Sequence, residues 1–161
     1  MIQEFQARET KRGIDMKNSL YIIIVGCGRL GSHLANQLSR AGHLVVVIDN
    51  YEASFNDLSS DYSGFRIPGD ATHRWVLEEA KIKKADIFFA VTHEDNVNLM
   101  VAQIAKKIFN IPHVLARVFD PKREQIFEQL GIGTICPTSI GAEMFLSAVA
   151  SGLAFNGDKR P

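Results

Sequence analysis

The chain has 161 residues, of which 46% are hydrophobic and 22% are charged, which is typical of one soluble globular domain with a full core. Eighteen basic residues balance eighteen acidic ones, so no net field draws the chain to nucleic acid or to a membrane surface. Two cysteines are too few for a disulfide framework, and no apolar run approaches the roughly 20 residues of a membrane-spanning helix. We therefore expect a reducing, cytoplasmic location and no direct membrane insertion.

The chain is predicted to contain one folded domain, residues 19–153, between an N-terminal tail (1–18) and a C-terminal tail (154–161). Buried strands are indicated by short runs rich in β-branched residues, and helices by apolar residues recurring every three or four positions. The predicted strands are 20–25, 44–48, 64–67, 86–91, 112–118 and 134–136. The predicted helices are 30–41, 72–80, 97–108, 121–130 and 139–153.

Strands that alternate with helices in this way predict a Rossmann-like, doubly wound α/β fold. We expect a mostly parallel sheet of about six strands with helices on both faces. The last helix, residues 139–153, differs from the others because it is apolar nearly all round, with Glu143 and Ser147 as its main polar relief. Such a helix needs cover on more than one side, which predicts that a protein partner packs against it.

A glycine-rich loop lies between the first predicted strand and the first predicted helix. Its residues are Gly26, Cys27, Gly28, Arg29, Leu30 and Gly31. In this context Gly26 permits the tight turn, Gly28 lets the backbone approach a pyrophosphate, and Gly31 allows close packing of helix and strand. The N–H groups of the helix N-terminus then face the phosphates. The loop therefore predicts a nucleotide site.

The second predicted strand ends at Asp49, followed by Asn50. A carboxylate at this place accepts hydrogen bonds from the adenosine ribose and disfavours the 2′-phosphate of NADP. Within the loop, Arg29 occupies a position that dehydrogenases fill with a small or apolar residue. An arginine there has the reach and charge to bind a terminal phosphate, although it could also be a surface residue whose charge opposes the helix dipole.

The sequence resembles the RCK (TrkA-N) domains that regulate potassium channels and transporters. The resemblance runs in family order from about residue 20 to 152 and extends well beyond the glycine loop. The matching residues are the loop and Asp49, Gly69-Asp-Ala-Thr72, Leu77, Ala80 and Ile82, Ala85-Asp86, Ala90-Val-Thr92 with Asp95 and Asn98, Ala116-Arg-Val118, and the segment from Gly131 to Pro137.

The resemblance implies further site residues at the ends of the later strands. Asp70, Ala71 and Thr72 would flank the adenine, and Val91 and Thr92 would approach the far end of the nucleotide. Arg117 would support the phosphates beside Arg29. Other roles stay open, because Asp70 could cap the helix that follows it, and Thr92 with Asp95 could cap the next one. An arginine on a strand needs an anion or a carboxylate as its partner.

The implied function is that of a nucleotide-binding regulatory subunit of a potassium transporter or channel. Its ligand would be ATP, ADP, AMP or NAD(H), and it would act in a homo- or hetero-oligomeric ring of RCK-type subunits. Many family members carry an acid directly after the proline of the last segment, where it helps to hold a divalent ion. Here Thr138 and Ser139 follow Pro137, so participation of a metal is in doubt.

A small NAD-dependent oxidoreductase and a redox-sensing NAD-binding module are the alternatives. The five histidines are scattered near element boundaries without metal-ligand spacing, and His93 alone lies where a dinucleotide would reach. We expect no second domain that would close over the site, and we find neither the winged helix nor the basic patch of a DNA regulator in the sequence. We therefore expect a protein that is not an enzyme and that binds no nucleic acid.

Overall fold

A computed structural model describes residues 19–151 of the chain. The two predicted tails, 1–18 and 154–161, and the last two residues of the predicted final helix lie outside the described residues. The strands are β1 (Tyr21–Val25), β2 (Leu44–Asp49), β3 (Phe65–Pro68), β4 (Ile87–Ala90), β5 (His113–Arg117) and β6 (Gly133–Ile135). The α-helices are α1 (Arg29–Arg40), α2 (Arg74–Glu79), α3 (Asp95–Gln103), α4 (Glu124–Gln129) and α5 (Pro137–Ala150).

The six strands form one sheet in the order β3-β2-β1-β4-β5-β6, and every neighbouring pair is parallel. The predicted Rossmann-like fold is therefore confirmed. The strand order reverses between β1 and β4, so the carboxyl ends of these two strands form the switch point at which α/β sheets bind ligands. The loops after β1, β2, β3, β4 and β5 all open onto this edge.

Apolar side chains cover both faces of β1 and β2. Because these strands are buried on both sides, their sequences are continuous hydrophobic runs. Ile23 and Val25 of β1 belong to a core built with α2, α3 and α4. Ile22 and Ile24 point to the other face, where α1 and the segment around Tyr62 pack on them. The sheet thus has two cores, and α1 is the helix that closes the second one.

The sheet is less well covered beyond the switch point. Phe88 and Val114 are buried under the helices of the first core, but Ile87, Phe89 and Leu115 on the opposite face are only half-buried. Within residues 19–151, the helices therefore cover both faces only on the β1–β2 side.

The final helix begins at Pro137, two residues before its predicted start, because proline fits the first turn of a helix, where its missing N–H costs nothing. No residue of α5 is buried. Its large apolar side chains are strongly exposed, at 69% for Met144, 76% for Phe145, 69% for Leu146 and 65% for Val149.

Other boundaries differ from the prediction by a few residues. The predicted helix 72–80 begins at Arg74, because residues 70–72 form a turn of their own. The predicted helix 97–108 begins at Asp95 and ends in a π turn, Ile104–Ile108. The segment predicted as helix 121–130 opens with a 3₁₀ turn, Pro121–Arg123, before α4.

Candidate nucleotide site

A cavity of about 870 Å³ lies at the carboxyl edge of the sheet, over the switch point. Twelve of the fourteen residues predicted for the site line it: Gly26, Gly28, Arg29, Leu30, Asn50 and Asp49 from the first two strand ends, Asp70, Ala71 and Thr72 from the third, and Val91, Thr92 and Arg117 from β4 and β5. Cys27 and Gly31 do not line it. The fold thus joins five segments that are far apart in sequence into one concave site.

Glycine occupies each of its positions in the loop for a different geometric reason. Gly26 has φ +103°, and a Cβ on it would lie 2.9 Å from the backbone nitrogen of Thr92, so an L side chain there is excluded. Gly28 precedes α1, and a Cβ on it would meet nothing within 4 Å. The backbone at Gly28 is therefore open toward the cavity, as close approach of a phosphate requires.

Gly31 and Cys27 have clear structural roles, and their predicted contact with a ligand stays a prediction that only their backbone could fulfil. A Cβ on Gly31 would collide with the carbonyl group of Gly26, so this glycine allows α1 to pack against the loop. The Cys27 side chain is fully buried in the second core. Burial, with the nearby Asp49 carboxylate, raises the pKa of the Cys27 thiol to about 12, so the thiol is not a nucleophile at neutral pH.

The Asp49 carboxylate joins the first two loops. Its Oδ2 accepts the N–H of Cys27 at 2.6 Å, and its Oδ1 accepts the N–H of Tyr51 at 2.8 Å. Each carboxylate oxygen has a second lone pair. Asp49 therefore holds the glycine loop in place and still has acceptor capacity for ribose hydroxyls.

The third loop is organised by Asp70. Its Oδ1 accepts both the N–H and the hydroxyl of Thr72, at 2.8 and 2.7 Å. These two donors hold the pKa of Asp70 below its ordinary value. Asp70 caps this turn and not α2 itself, whose N-terminal cap position is His73. Ala71 is buried beneath the turn, and Thr72 is half-buried at the cavity wall.

In the fourth loop, neither Thr92 nor Asp95 caps α3, whose N-terminal cap position is Glu94. Thr92 lines the cavity, and its contact with a ligand stays a prediction. The Thr92 hydroxyl donates to Asn98 Oδ1 at 2.7 Å, and the N–H of Glu94 donates to that hydroxyl at 3.2 Å. The Asp95 carboxylate accepts the N–H groups of Phe119 and Asp120, at 2.7 and 3.1 Å. Asp95 thus fastens α3 to the segment after β5 instead of capping its own helix.

Two arginines supply positive charge at the cavity. Arg29 is exposed in the first turn of α1, and Arg117 ends β5. The Arg117 guanidinium lies 5.3 Å from the centre of the Phe119 ring. Among the described residues, Nε of Arg117 is buried without a hydrogen-bond partner. A buried, unpaired donor of this kind is costly unless a ligand completes it, and a phosphate or carboxylate oxygen has the required chemistry.

Several residues that line the cavity were not among the predicted site residues. Tyr51 and Ser54 follow Asp49 and its neighbour, whereas Phe119 and Pro137 belong to segments far along the chain. His93 also lines the cavity, but its side chain is 88% exposed and lies 3.6 Å from Glu94. Tyr51 and Ser54 could have been predicted from their proximity to Asp49. Phe119 and Pro137 could not, because their positions depend on how the segment after β5 returns over α3.

The motif position associated with a divalent ion holds Thr138, whose hydroxyl donates to the Phe119 carbonyl at 3.1 Å. Across residues 19–151, no cluster of three or more His, Cys, Asp or Glu side chains has a geometry suited to a metal ion. In the same range, no helix has both the length and the apolar character to span a membrane.

Fold and site together define a Rossmann-type domain with a cavity at its switch point. Residues 22–137 match the model of the TrkA-N domain, and the chain belongs to this family. The chain is 39% identical over 127 residues to the "Trk system potassium uptake protein TrkA" of Streptomyces coelicolor, covering 79% of the chain and 57% of that relative. The chain thus spans little more than half the length of this relative.

Solved structures share the fold at lower identity. The Kef C-terminal domain of Shewanella denitrificans "in AMP bound form" superimposes with a TM-score of 0.70 at 24% identity, covering 84% of this chain and 82% of that one. The "GsuK channel bound to NAD" gives a TM-score of 0.62 at 20% identity, covering 78% of this chain and 22% of that one. At these identities the likeness concerns the fold alone.

Proposed function

We propose that this chain is a non-enzymatic, nucleotide-binding regulatory subunit of a potassium transport system. The observation that carries the proposal is the cavity itself, in which an open glycine loop, the Asp49 carboxylate and two arginines face one space. Ribose hydroxyls match Asp49, and phosphates match Gly28, Arg29 and Arg117. The name of the TrkA relative supports the link to potassium uptake.

The proposed ligand is an adenine nucleotide: ATP, ADP, AMP or NAD(H). The two structural neighbours, which are described as bound to AMP and to NAD, support this class. The acidic end of β2 argues against NADP, because a second negative charge beside Asp49 would be repelled. Recognition without a divalent ion is proposed as well, since Thr138 has no carboxylate to offer.

The proposed mechanism is a shift in conformational populations. Nucleotides with different numbers of phosphates would make different contacts with the glycine loop and Arg29, and would therefore differ in their affinity for the conformations of the domain. This difference in affinity would change the geometry of an assembled ring. The exposed apolar side chains of α5 support association with further subunits. The ring would act at the cytoplasmic side of a membrane partner, a potassium transporter or channel.

Titration calorimetry with adenosine, AMP, ADP, ATP, NAD and NADP, with and without Mg²⁺, tests this proposal. We expect the wild-type chain to bind the adenine nucleotides and to bind NADP more weakly than NAD. Arg29→Ala is expected to weaken the binding of ADP about tenfold, because a charge-assisted hydrogen bond is lost, while the affinity for adenosine stays unchanged.

Arg40→Ala is the matched control, because it removes the same side chain from the other end of α1, where Arg40 pairs with Asp61 at 2.8 Å. It is expected to leave all nucleotide affinities unchanged. No binding of any adenine nucleotide would contradict the proposed site. An unchanged ratio of ADP to adenosine affinity in Arg29→Ala would contradict the role of Arg29. Steady NADH oxidation with a small carbonyl substrate would instead support the oxidoreductase.

A further inference from the structure

Asn98 of α3 is a fully buried polar residue beneath the far wall of the cavity, with 0% of its surface exposed. Its Oδ1 accepts the N–H and the hydroxyl of Thr92, at 2.9 and 2.7 Å. Its Nδ2 donates to the carbonyl of Thr92 at 3.1 Å and to the carbonyl of Arg117 at 3.0 Å. One side chain therefore connects the residues that follow β4 and end β5.

The orientation of this amide follows from its partners. The Thr92 N–H has only a hydrogen to offer, and the two carbonyls have only lone pairs, so oxygen and nitrogen cannot be exchanged. All four hydrogen-bonding positions of the amide are occupied within the protein. Asn98 consequently has nothing left to bind a ligand, and its effect on a ligand is indirect.

The two segments that Asn98 joins form the far side of the cavity. The Thr92 backbone packs against Gly26, where the glycine turn leaves room for no side chain. Arg117 carries the buried Nε that has no partner among residues 19–151. The Asn98 amide therefore adds a side-chain bridge between these two segments at the end of the sheet, beyond the strand pairing of Ala90 with Ala116.

We propose that Asn98 is a positioning residue for the distal half of the nucleotide. It holds the Thr92 backbone and Arg117 at the spacing needed to receive groups beyond the first phosphate, and it contributes little to the adenosine half. This half is held by Asp49 and the Asp70 turn, which make no hydrogen bond to Asn98. The inference rests on the proposed function, because it assigns a role within that same site.

The test compares Asn98→Asp with the wild-type chain by calorimetry, using AMP, ADP and NAD as probes. Aspartate has the same size, but it puts an oxygen in place of Nδ2 against the two carbonyls and so releases the bridge. We expect ADP and NAD to bind about tenfold more weakly and AMP to change less than about twofold. A purely structural role would weaken all three probes equally.

Asn96→Asp is the matched control, because it adds the same charge to the same helix at an exposed side chain whose oxygen already accepts from Arg123. It is expected to leave all three affinities unchanged, which excludes simple repulsion of the phosphates. Asn98→Ala removes the bridge without adding charge, and it is expected to give the same split between AMP and the longer ligands.

The outcomes separate this inference from the proposed function. A wild-type chain that binds none of the probes would overturn both. A wild-type chain that binds them, combined with equal weakening of AMP, ADP and NAD in the Asn98 variants, would overturn the positioning role alone. Failure of both Asn98 variants to fold would also overturn it, in favour of a structural role.

Discussion

The first and last helices of the domain are similar in length but opposite in environment. α1 has 12 residues and α5 has 14, and each follows a strand of the same sheet. α1 buries Gly31, Ser32, Ala35 and Ser39 against the second core, whereas α5 buries no residue. Within residues 19–151, the domain therefore completes the packing of the helix that opens the proposed nucleotide site and leaves the other helix uncovered.

The residues that each helix presents explain the difference. The buried stripe of α1 consists of small side chains, which let the helix approach the strands closely. α5 instead carries large apolar side chains that remain exposed, an arrangement that soluble proteins keep for contact surfaces. The comparison separates the proposed ligand site, which is lined by residues of this domain, from the proposed association surface on α5.

The strongest test of this contrast is the same substitution, glycine to alanine, in both helices. In Gly31→Ala the new methyl group meets the Gly26 carbonyl, and we expect a loss of about 2–3 kcal/mol of unfolding free energy from overpacking. In Gly141→Ala the methyl group has nothing within 4 Å, and we expect a gain of roughly 0.5–1 kcal/mol from helix propensity. Urea denaturation of the two variants measures both values.

Changes of opposite sign in the unfolding free energy would establish that, of the two helices, only α1 packs closely against the domain. A destabilised Gly141→Ala variant, measured where the wild-type chain is monomeric, would mean that α5 packs closely on its own domain. In that case the assignment of α5 as an association surface would be wrong.

The second test concerns association itself. Phe145→Glu places a charge on the most exposed large side chain of α5, and we expect the dissociation constant of the oligomer to rise about thirtyfold or more, as for the loss of an interface hot spot. Phe65→Glu is the control, because Phe65 is 66% exposed on the edge strand β3, remote in sequence from α5. Sedimentation velocity over a concentration series compares the two variants.

Nucleotide affinity provides the internal check for this pair. ADP is expected to bind the Phe145→Glu monomer as it binds the wild-type chain, because every residue proposed to contact it lies outside the exposed face of α5. Equal weakening of the oligomer by both variants, or a wild-type chain that is monomeric at all concentrations, would refute α5 as the interface.

The part of the site that was predictable from sequence depends on local geometry and on one topological rule. The glycine spacing identified the turn at Gly26 and the open backbone at Gly28. In a parallel sheet all strands end at the same edge, so Asp49 could be placed beside that turn without coordinates, whereas Asp70 was placed there by the family resemblance. The fold class followed from the same alternation of strands and helices.

What could not be predicted depends on side-chain direction and on long-range contacts. The motif spacing does not reveal that the Cys27 side chain points into the core, so only the backbone of this residue is left to meet a ligand. Phe119 reaches the cavity because Asp95 binds the segment after β5, a contact between residues far apart in the chain. Similarly, the apolar runs of β1 and β4 look alike, although one face of β4 is only half covered.

The smallest expected effect in the comparison of the helices concerns their serines. Ser39 near the end of α1 is buried; its hydroxyl contacts the Ser63 hydroxyl at 3.1 Å and accepts the Ser63 N–H at 3.2 Å. Ser39→Ala is expected to cost about 1 kcal/mol, because it leaves these groups without their partner. Ser147 is exposed on α5, and Ser147→Ala is expected to change the stability by less than about 0.5 kcal/mol. Thermal and urea unfolding of both variants resolve the difference, and a larger cost at Ser147 than at Ser39 would show that α5 is integrated into its own domain after all.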